Sequence, residues 1–294
     1  MSYVRGILLV VFSMFVFSLV GPLVRWIELP SPALLFFTSL AGGLVLSLFL
    51  LFTKRFSLVK AKKHWKLMGA SLVVLFVLLL LYYQAYHYTT LANVILTHYT
   101  APIFAALLAP LLLKERLEKI TFIALAFSFL GLVLITFPNL NFKGTHLLGI
   151  TLGVLSGFFY GLMIVITKLL VERFSLTAII FYQMVSFTIV LGPALPFFEF
   201  TLTPQRIGLL IAYAVLIHIA ASYIYMEGLK AIKGQHIGII ACIEPLFVSL
   251  WGILFFAEIP SLLTVAGGML ILFSGYLILR FVSREAATPA SHHQ

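Results

Sequence analysis

A carboxylate and a proline stand side by side inside an apolar stretch of the chain, at Glu244 and Pro245. The stretch reads ACIEPLFVSLWGILFFAE over residues 241–258 and otherwise has the composition of an apolar helix. An acidic side chain costs about 2.5–3.5 kcal/mol at the centre of a membrane helix, so such residues usually face a cavity and handle ions or substrates. A low dielectric favours the neutral acid, so Glu244 is a candidate for binding a proton as well as a substrate. The alternative is a protonated hydrogen-bonded tie between two helices.

A second proline, Pro102, also lies inside an apolar run. Each proline removes one helix hydrogen bond, which frees the carbonyl of Ala241 below Pro245 and that of His98 below Pro102. Within a membrane those carbonyls need new partners, and neighbouring helices, water or a bound molecule can provide them. We therefore predict that Pro102 and Pro245 mark kinks that act in gating, with ordinary structural kinks as the alternative.

Tyrosine, histidine and serine side chains lie in the same part of the chain. His218, Ser222 and Tyr225 follow the spacing i, i+4, i+7, which places them on one face of an α-helix. Tyrosine rings can stack on a cationic or aromatic group. An interfacial aromatic belt is the alternative for the tyrosines, and the preferred one for Tyr86 and Tyr88, whereas a hydrogen bond between helices is the alternative for the histidines. The predicted substrate-binding residues are Glu244, Tyr82, His98, Tyr99, His218, Ser222 and Tyr225.

The composition places these residues in a membrane. The chain of 294 residues is 62% hydrophobic and 10% charged, with a mean hydropathy of +1.15. A soluble domain of this size could not bury so much apolar surface. The predicted fold class is therefore an all-α integral membrane protein with ten transmembrane helices. Apolar runs near the spanning length lie at roughly 5–25, 32–53, 67–88, 92–113, 119–137, 147–168, 175–198, 206–228, 235–257 and 260–281.

The distribution of lysine and arginine predicts the orientation. With the N-terminus in the cytoplasm, sixteen of the 19 basic residues fall on the cytoplasmic side or beside it. The even number of runs then places the C-terminus in the cytoplasm too. The net charge of +10 thus reflects membrane topology and contact with anionic lipid, and we expect no nucleic acid partner. Residues 283–294 are polar and are predicted to be disordered.

Several kinds of chemistry lack their residues. Aspartate is absent, which removes aspartyl proteolysis within the membrane and aspartyl-phosphate pumps. The chain contains no GxxxxGK[ST], HExxH or GxSxG motif, and Cys242 is its one cysteine. We therefore expect no enzyme activity, no metal and no cofactor.

The two halves of the sequence match without a gap at an offset of 143 residues. Matched residues include Gly6 with Gly149, Tyr82 with Tyr225, Pro102 with Pro245, and Glu115 with Glu258. Each repeat, 1–140 and 146–282, holds five runs, an odd number, so the copies should be inverted in the membrane. Inverted repeats are typical of alternating-access carriers, whose substrate site lies at the repeat interface near the midplane.

Two stretches of the sequence, one in each half, resemble a known family. The stretch IEPLFVSLWGILFFAE followed by LLTVAGGMLILFSGYLIL, and its partner HYTAPIFAALLAPLLLKERLEKITFIALAFSFLGLVLI, resemble the EamA-type branch of the drug/metabolite transporter superfamily. The resemblance implies a ten-helix carrier of the bacterial inner membrane whose central cavity is lined mainly by the third, fourth, eighth and ninth runs. Members export amino acids and other metabolites, and some import nucleoside-like metabolites such as S-adenosylmethionine. Ala101 stands where the second half has Glu244, so the two half-sites should be chemically unequal.

The expected function is secondary active transport of a small amine-bearing or zwitterionic metabolite such as an amino acid, in the direction of export. Membrane lipid and a coupling proton are the further expected partners. Uptake of S-adenosylmethionine or a nucleoside-like metabolite is the alternative. A membrane-embedded lipid-modifying enzyme and a passive pathway rank lower. Glu115 and Glu258 are expected to anchor helix ends or to form gate contacts, and Glu227 to pair with nearby lysines. Close helix packing is expected at Gly267, Gly268 and Gly275.

Overall fold

The computed structural model of the protein describes residues 1–59, 64–137, 146–257 and 259–287, although only the helical backbone is described at 91, 92 and 283–287. Within these ranges the chain is helical and contains no strand. Ten helices of the described part are long and apolar enough to cross a membrane, which confirms the predicted fold class. In chain order, spans 1 to 10 are Tyr3–Ile27, Ser31–Thr53, Trp65–Tyr88, Asn93–Leu113, Lys119–Thr136, His146–Val171, Leu176–Phe197, Pro204–Leu229, Gly234–Phe256 and Leu262–Val282.

Spans 1, 4 and 9 are each broken and restarted inside the membrane. In spans 4 and 9 the second piece begins with a proline at its second position, Pro102 and Pro245, where the missing N–H costs least. Span 1 breaks at Ser18 and Leu19 without a proline at the break. Span 8 carries a π-helical segment instead. The pieces are Tyr3–Phe17 and Val20–Ile27 in span 1, Leu91–His98 and Ala101–Leu113 in span 4, Gly234–Ala241 and Glu244–Phe256 in span 9, and π-helical Ala214–Ala221 in span 8.

Local sequence signals set several helix ends. The side chains of Ser2, Thr90, Ser175 and Thr203 each accept a hydrogen bond from the backbone N–H three residues later. These bonds satisfy donors that a helix N-terminus leaves without an intrahelical partner. At C-terminal ends the chain turns through the left-handed region, where φ is 51–58° at Glu28, Lys54, Lys114 and Ala257.

The strongest packing joins the two halves of the chain. Span 1 packs on span 8, span 3 on span 6, span 2 on span 7, span 4 on span 9 and span 5 on span 10. Span 4 also packs extensively on span 6, and the equivalent contact in the exchanged halves, span 9 on span 1, is smaller. For the other five pairs, exchanging each span with the one five places further along leaves the set unchanged. That symmetry is what two copies of a five-span unit related by a pseudo-twofold axis require, and five spans per copy makes the copies inverted.

Spans 5 and 10 touch through two glycines. An added Cβ would lie 2.5 Å from the carbonyl oxygen of Gly267 if placed at Gly131, and 2.3 Å from that of Gly131 if placed at Gly267. At Gly268 it would meet a Leu246 methyl group at 2.9 Å. Close packing is therefore confirmed at Gly267 and Gly268. The expectation for Gly275 is wrong, because among the described residues no atom of a neighbouring helix lies within 4 Å of its added Cβ.

The predictions for the C-terminal tail and for Glu258 fall partly or wholly outside the described residues. The last helix runs on to Ala287, and residues 288–294 of the predicted polar tail lie outside the described residues. Glu258, the repeat partner of Glu115, also lies outside them. The side of the membrane on which the termini lie stays a prediction.

Candidate functional site

Glu244 and Tyr99 meet where the breaks of spans 4 and 9 face each other. Tyr99 ends the first piece of span 4, and Glu244 opens the second piece of span 9. The Tyr99 hydroxyl donates a hydrogen bond to Glu244 Oε2 at 3.2 Å. Both residues are half-buried, and the bond between them joins the two breaks in the interior of the helix bundle.

His98 lies beside this pair and is enclosed by aromatic rings. Its ring is stacked on the Tyr160 ring, with the centroids 4.8 Å apart and an angle of 7° between the planes. The Tyr82 ring has its centroid 4.3 Å from that of His98, with an angle of 44° between the planes. His98 Nδ1 lies 3.0 Å from Ser156 Oγ, and that hydroxyl donates its own hydrogen to the Gly153 carbonyl. While the Ser156 hydroxyl donates to that carbonyl, Nδ1 can act only as the donor to Ser156, and Nε2 is then the acceptor nitrogen of the ring.

Tyrosines surround the carboxylate on several sides. The Tyr86 hydroxyl donates to Tyr82 at 2.7 Å, which extends the group toward the end of span 3. Tyr225 packs edge-on against Phe17, with ring centroids 6.1 Å apart. Five tyrosines lie within electrostatic reach of Glu244, namely Tyr82, Tyr99, Tyr160, Tyr213 and Tyr225. Such a group offers ring faces and hydroxyls around one carboxylate, an arrangement suited to a cation with an apolar or aromatic part.

His218 and Ser222 have different contacts. His218 Nε2 lies 3.0 Å from Thr38 Oγ1 on span 2, and the ring packs against Tyr213 at 5.2 Å. Ser222 Oγ donates to the carbonyl of Ile217 in its own span at 3.2 Å. The prediction that His218, Ser222 and Tyr225 share one face holds for an α-helix, whereas the residues preceding Ser222 are π-helical. The structure thus bonds Tyr99 to Glu244, sets Tyr82 and Tyr225 within electrostatic reach of that carboxylate, and packs His98 against Tyr82 and Tyr99. It sets His218 and Ser222 in interhelical and local hydrogen bonds.

Span 6 supplies site residues that the sequence reasoning missed. Ser156 and Tyr160 both contact His98, and they are four residues apart on one face of the helix. A serine and a tyrosine at that spacing in an apolar run were the available signal. Glycines on the same span allow the approach, since an added Cβ at Gly157 would lie 2.3 Å from Thr100 Oγ1.

A metal centre is not assembled here. Within the part of the chain that the structure describes, no three His, Cys, Asp or Glu side chains come together in a group that could hold a metal ion.

Comparison with known proteins assigns the family. The model of the EamA-like transporter family matches residues 4–137 and again 147–280. The chain belongs to this family. The EamA-like assignment confirms the resemblance to the drug/metabolite transporter superfamily, and with the ten spans it makes the chain a transporter and a multi-pass protein of the cell inner membrane.

Two relatives and one solved structure are similar to this chain. The pseudopaline exporter CntI of Pseudomonas aeruginosa is 26% identical over 274 residues, covering 90% of this chain and 93% of the relative. An uncharacterized transporter of Archaeoglobus fulgidus is 32% identical over 202 residues, covering 67% and 70%. A solved structure described as "Crystal structure of protein" matches with a TM-score of 0.82 at 15% identity, covering 95% of this chain and 98% of that one. At that identity the match shows the fold alone.

Proposed function

We propose that the protein is a secondary active carrier that exports a small amine-bearing or zwitterionic metabolite, such as an amino acid, by alternating access. The observation that carries the proposal is the half-buried Glu244 carboxylate, bonded to Tyr99 where the breaks of spans 4 and 9 face each other. In an inverted-repeat carrier this is the expected place of the substrate.

The chemistry of the group favours an ammonium over an anion. A carboxylate among tyrosine rings attracts a cation by charge and by the ring faces. The acceptor nitrogen of His98 adds a place for a donor group. Within the described spans, lysine and arginine lie near the ends, as Arg25 and Lys168 do, which disfavours a phosphate or dicarboxylate.

Glu244 also offers a way to couple the substrate to a proton. An ionised carboxylate without a partner is costly in the hydrocarbon region. The site is therefore most stable when Glu244 holds either a proton or the ammonium of the substrate. If the carrier reorients only in those two states, a proton moving inward exchanges for a metabolite moving outward.

The proposed direction of transport is supported by CntI, which is named as the pseudopaline exporter and matches 90% of this chain. The stacked rings of Tyr82, His98 and Tyr160 would equally suit an aromatic base. Uptake of S-adenosylmethionine or a nucleoside-like metabolite is therefore the second candidate, and the direction of a proton-driven flux separates the two.

Counterflow in proteoliposomes tests the proposal. Vesicles are preloaded with one unlabelled compound from a panel of amino acids, amines and S-adenosylmethionine, and entry of the same labelled compound is measured. A carrier shows entry stimulated by the compound inside. Glu244→Gln is expected to abolish proton-driven transport while the protein still inserts and unfolds at the wild-type temperature. The matched control is Glu227→Gln, which alters an exposed pair with Lys230 and should transport normally.

Two results would contradict the proposal. If proton-driven transport survives in Glu244→Gln, the Glu244 carboxylate is not the group that couples transport to protons. Absence of stimulated entry across the whole panel would favour a passive pathway or a membrane-embedded enzyme instead.

A further inference from the structure

Span 9 is buried very unevenly along its length. All eight residues of its first piece, Gly234–Ala241, are buried. Its second piece, Glu244–Phe256, is described throughout and has one buried residue, Gly252. The first piece packs mainly on the second piece of span 4 and also contacts spans 1, 5, 6 and 10. The bundle is therefore tightly closed at the end where span 9 begins.

Glycines bring spans 4 and 9 into direct contact at this end. An added Cβ at Gly238 would lie 2.7 Å from the Cα of Pro102. One at Gly234 would lie 2.3 Å from a terminal methyl group of Leu113 and 3.5 Å from the Cβ of Ala109. No molecule of any size can pass between these surfaces until they separate.

A polar segment between spans 4 and 5 holds the start of span 9. Glu115 accepts hydrogen bonds from the backbone N–H groups of Gly234 at 2.7 Å and Gln235 at 3.3 Å. These are free donors at a helix N-terminus, where negative charge is stabilising. The buried Gln235 side chain accepts from Thr121 at 2.7 Å and donates to the carbonyl of Arg116 at 2.8 Å.

A second group of contacts joins the same segment to span 1. His236 is fully buried, with Nδ1 2.5 Å from the Tyr3 hydroxyl and Nε2 3.0 Å from Glu118 Oε2. The other oxygen of Glu118 pairs with the Lys233 ammonium. The backbone N–H of Lys233 donates to Tyr3 at 3.2 Å. Glu118 thus lies between a cation and a buried imidazole, although the approach of its Oε2 to His236 lacks hydrogen-bond geometry. The Lys233 pair and the two contacts of the Tyr3 hydroxyl therefore join span 1 and the segment before span 5 to the start of span 9.

Another ion pair at the same end is exposed and does not join two spans. Glu227 and Lys230 are three residues apart, and their side chains are 38% and 41% exposed. Their contact joins neighbouring residues and bridges no two spans. Exposed pairs of this kind contribute about 0–1 kcal/mol, so this pair is a matched control for Glu118.

We propose that Glu118, Lys233 and His236, together with Tyr3, form a latch that holds this end of the carrier closed. Opening the end requires the first piece of span 9 to leave span 4 and the polar segment between spans 4 and 5. The latch sets how often that happens, because its contacts exist only while the surfaces meet. This inference rests on the alternating access of the proposed function.

The single cysteine reports on the opening. Cys242 is buried at the end of the first piece of span 9, beside Tyr99 and Pro102. We expect Glu118→Gln to speed its labelling by N-ethylmaleimide about tenfold or more, because a hydrogen bond to a charged group contributes about that factor or more to an equilibrium. Glu227→Gln should label at the wild-type rate. The full-length protein is measured in lipid nanodiscs, with labelling read at the Cys242 peptide by mass spectrometry.

A reversible cross-link separates latch opening from misfolding. The 3.5 Å between the Ala109 Cβ and an added Cβ at Gly234 suits a disulfide, which needs roughly 3.5–4.5 Å. The terminal methyl of Leu113 must move aside to admit the new side chain. In Glu118→Gln with Ala109→Cys and Gly234→Cys, oxidation should return Cys242 labelling to the wild-type rate, and reduction should restore fast labelling.

Two outcomes would overturn the latch. The first is Glu118→Gln labelling within about twofold of wild type, which is less than loss of a charged contact would produce. The second is fast labelling that persists in the oxidised protein, since spans 4 and 9 would then not have to separate. Neither readout uses a transported compound. Failure here would therefore leave the counterflow result standing, and failure of counterflow would leave the labelling result standing.

Discussion

Span 6 approaches span 4 so closely that one methyl group should disturb the site. An added Cβ at Gly157 would lie 2.3 Å from Thr100 Oγ1 and 2.7 Å from the carbonyl oxygen of Thr97. Ordinary Cβ contacts begin at 3.4 Å, so Gly157→Ala requires spans 4 and 6 to separate by the difference from 2.7 Å, about 0.7 Å. The neighbouring residues Ser156 and Tyr160 would move away from the ring they hold in place.

The cost follows from two opposing effects. Overpacking costs about 1–3 kcal/mol, and the better helix propensity of alanine offsets about 0.5–1 kcal/mol of it. We therefore expect Gly157→Ala to be less stable by about 0–2.5 kcal/mol. Loss of the hydrogen bond between His98 and Ser156 removes about 0.5–1.5 kcal/mol more from the site, which corresponds to about two- to tenfold slower transport.

Counterflow rate and thermal unfolding in detergent measure the two effects separately. Gly275→Ala is the control, because nothing lies within 4 Å of its added Cβ. It should transport normally and be more stable by about 0.4–1 kcal/mol, since alanine restricts the unfolded chain. If Gly157→Ala instead transports and unfolds like the wild type, spans 4 and 6 do not meet as described, and the group around His98 loses its basis.

Two further predictions concern single side chains. His98→Ala removes a ring held between two tyrosines and its bond to span 6, so the counterflow rate should fall about tenfold or more. Tyr82→Phe keeps the ring contact, so it should lower the counterflow rate by less than about threefold. Equal losses in the two variants would contradict this. Lys168→Met removes the charged donor that lies 2.6 Å from the Leu229 carbonyl, which then has the Ile232 N–H at 3.3 Å. Because a hydrogen bond to a charged group is lost, stability in thermal unfolding should fall by about 1–3 kcal/mol. Lys230→Met, in an exposed pair, should change it by less than about 1 kcal/mol.

The spans could be predicted from the sequence because each depends on its own composition. The thickness of the hydrocarbon core requires about 20 apolar residues whatever the neighbouring helices do. The offset between the two halves likewise needs no coordinates, and it places Pro102 and Pro245 at equivalent breaks. Glu244 stood out for the same local reason, since a carboxylate in an apolar run is costly wherever the helix packs.

Contacts between spans could not be predicted in this way. His98 and His218 have similar apolar surroundings in the sequence, yet one meets Ser156 and Tyr160 and the other meets Thr38. The break of span 1 at Ser18 has no proline to announce it. Such features depend on the rotation and crossing of helices, which many small contacts set together.

The sequence by itself determined that this is a membrane protein of ten spans in two inverted repeats, with the acidic residue Glu244 inside an apolar run. The length of each apolar run, the offset between the two halves and the cost of a charge in a membrane can all be read from the sequence without knowing how the helices pack. Only the tertiary structure decided which side chains meet that acid and where the bundle is closed. The physical reason is the close approach allowed by glycines such as Gly157 and Gly238, whose missing side chains matter only against the particular backbone that packs on them.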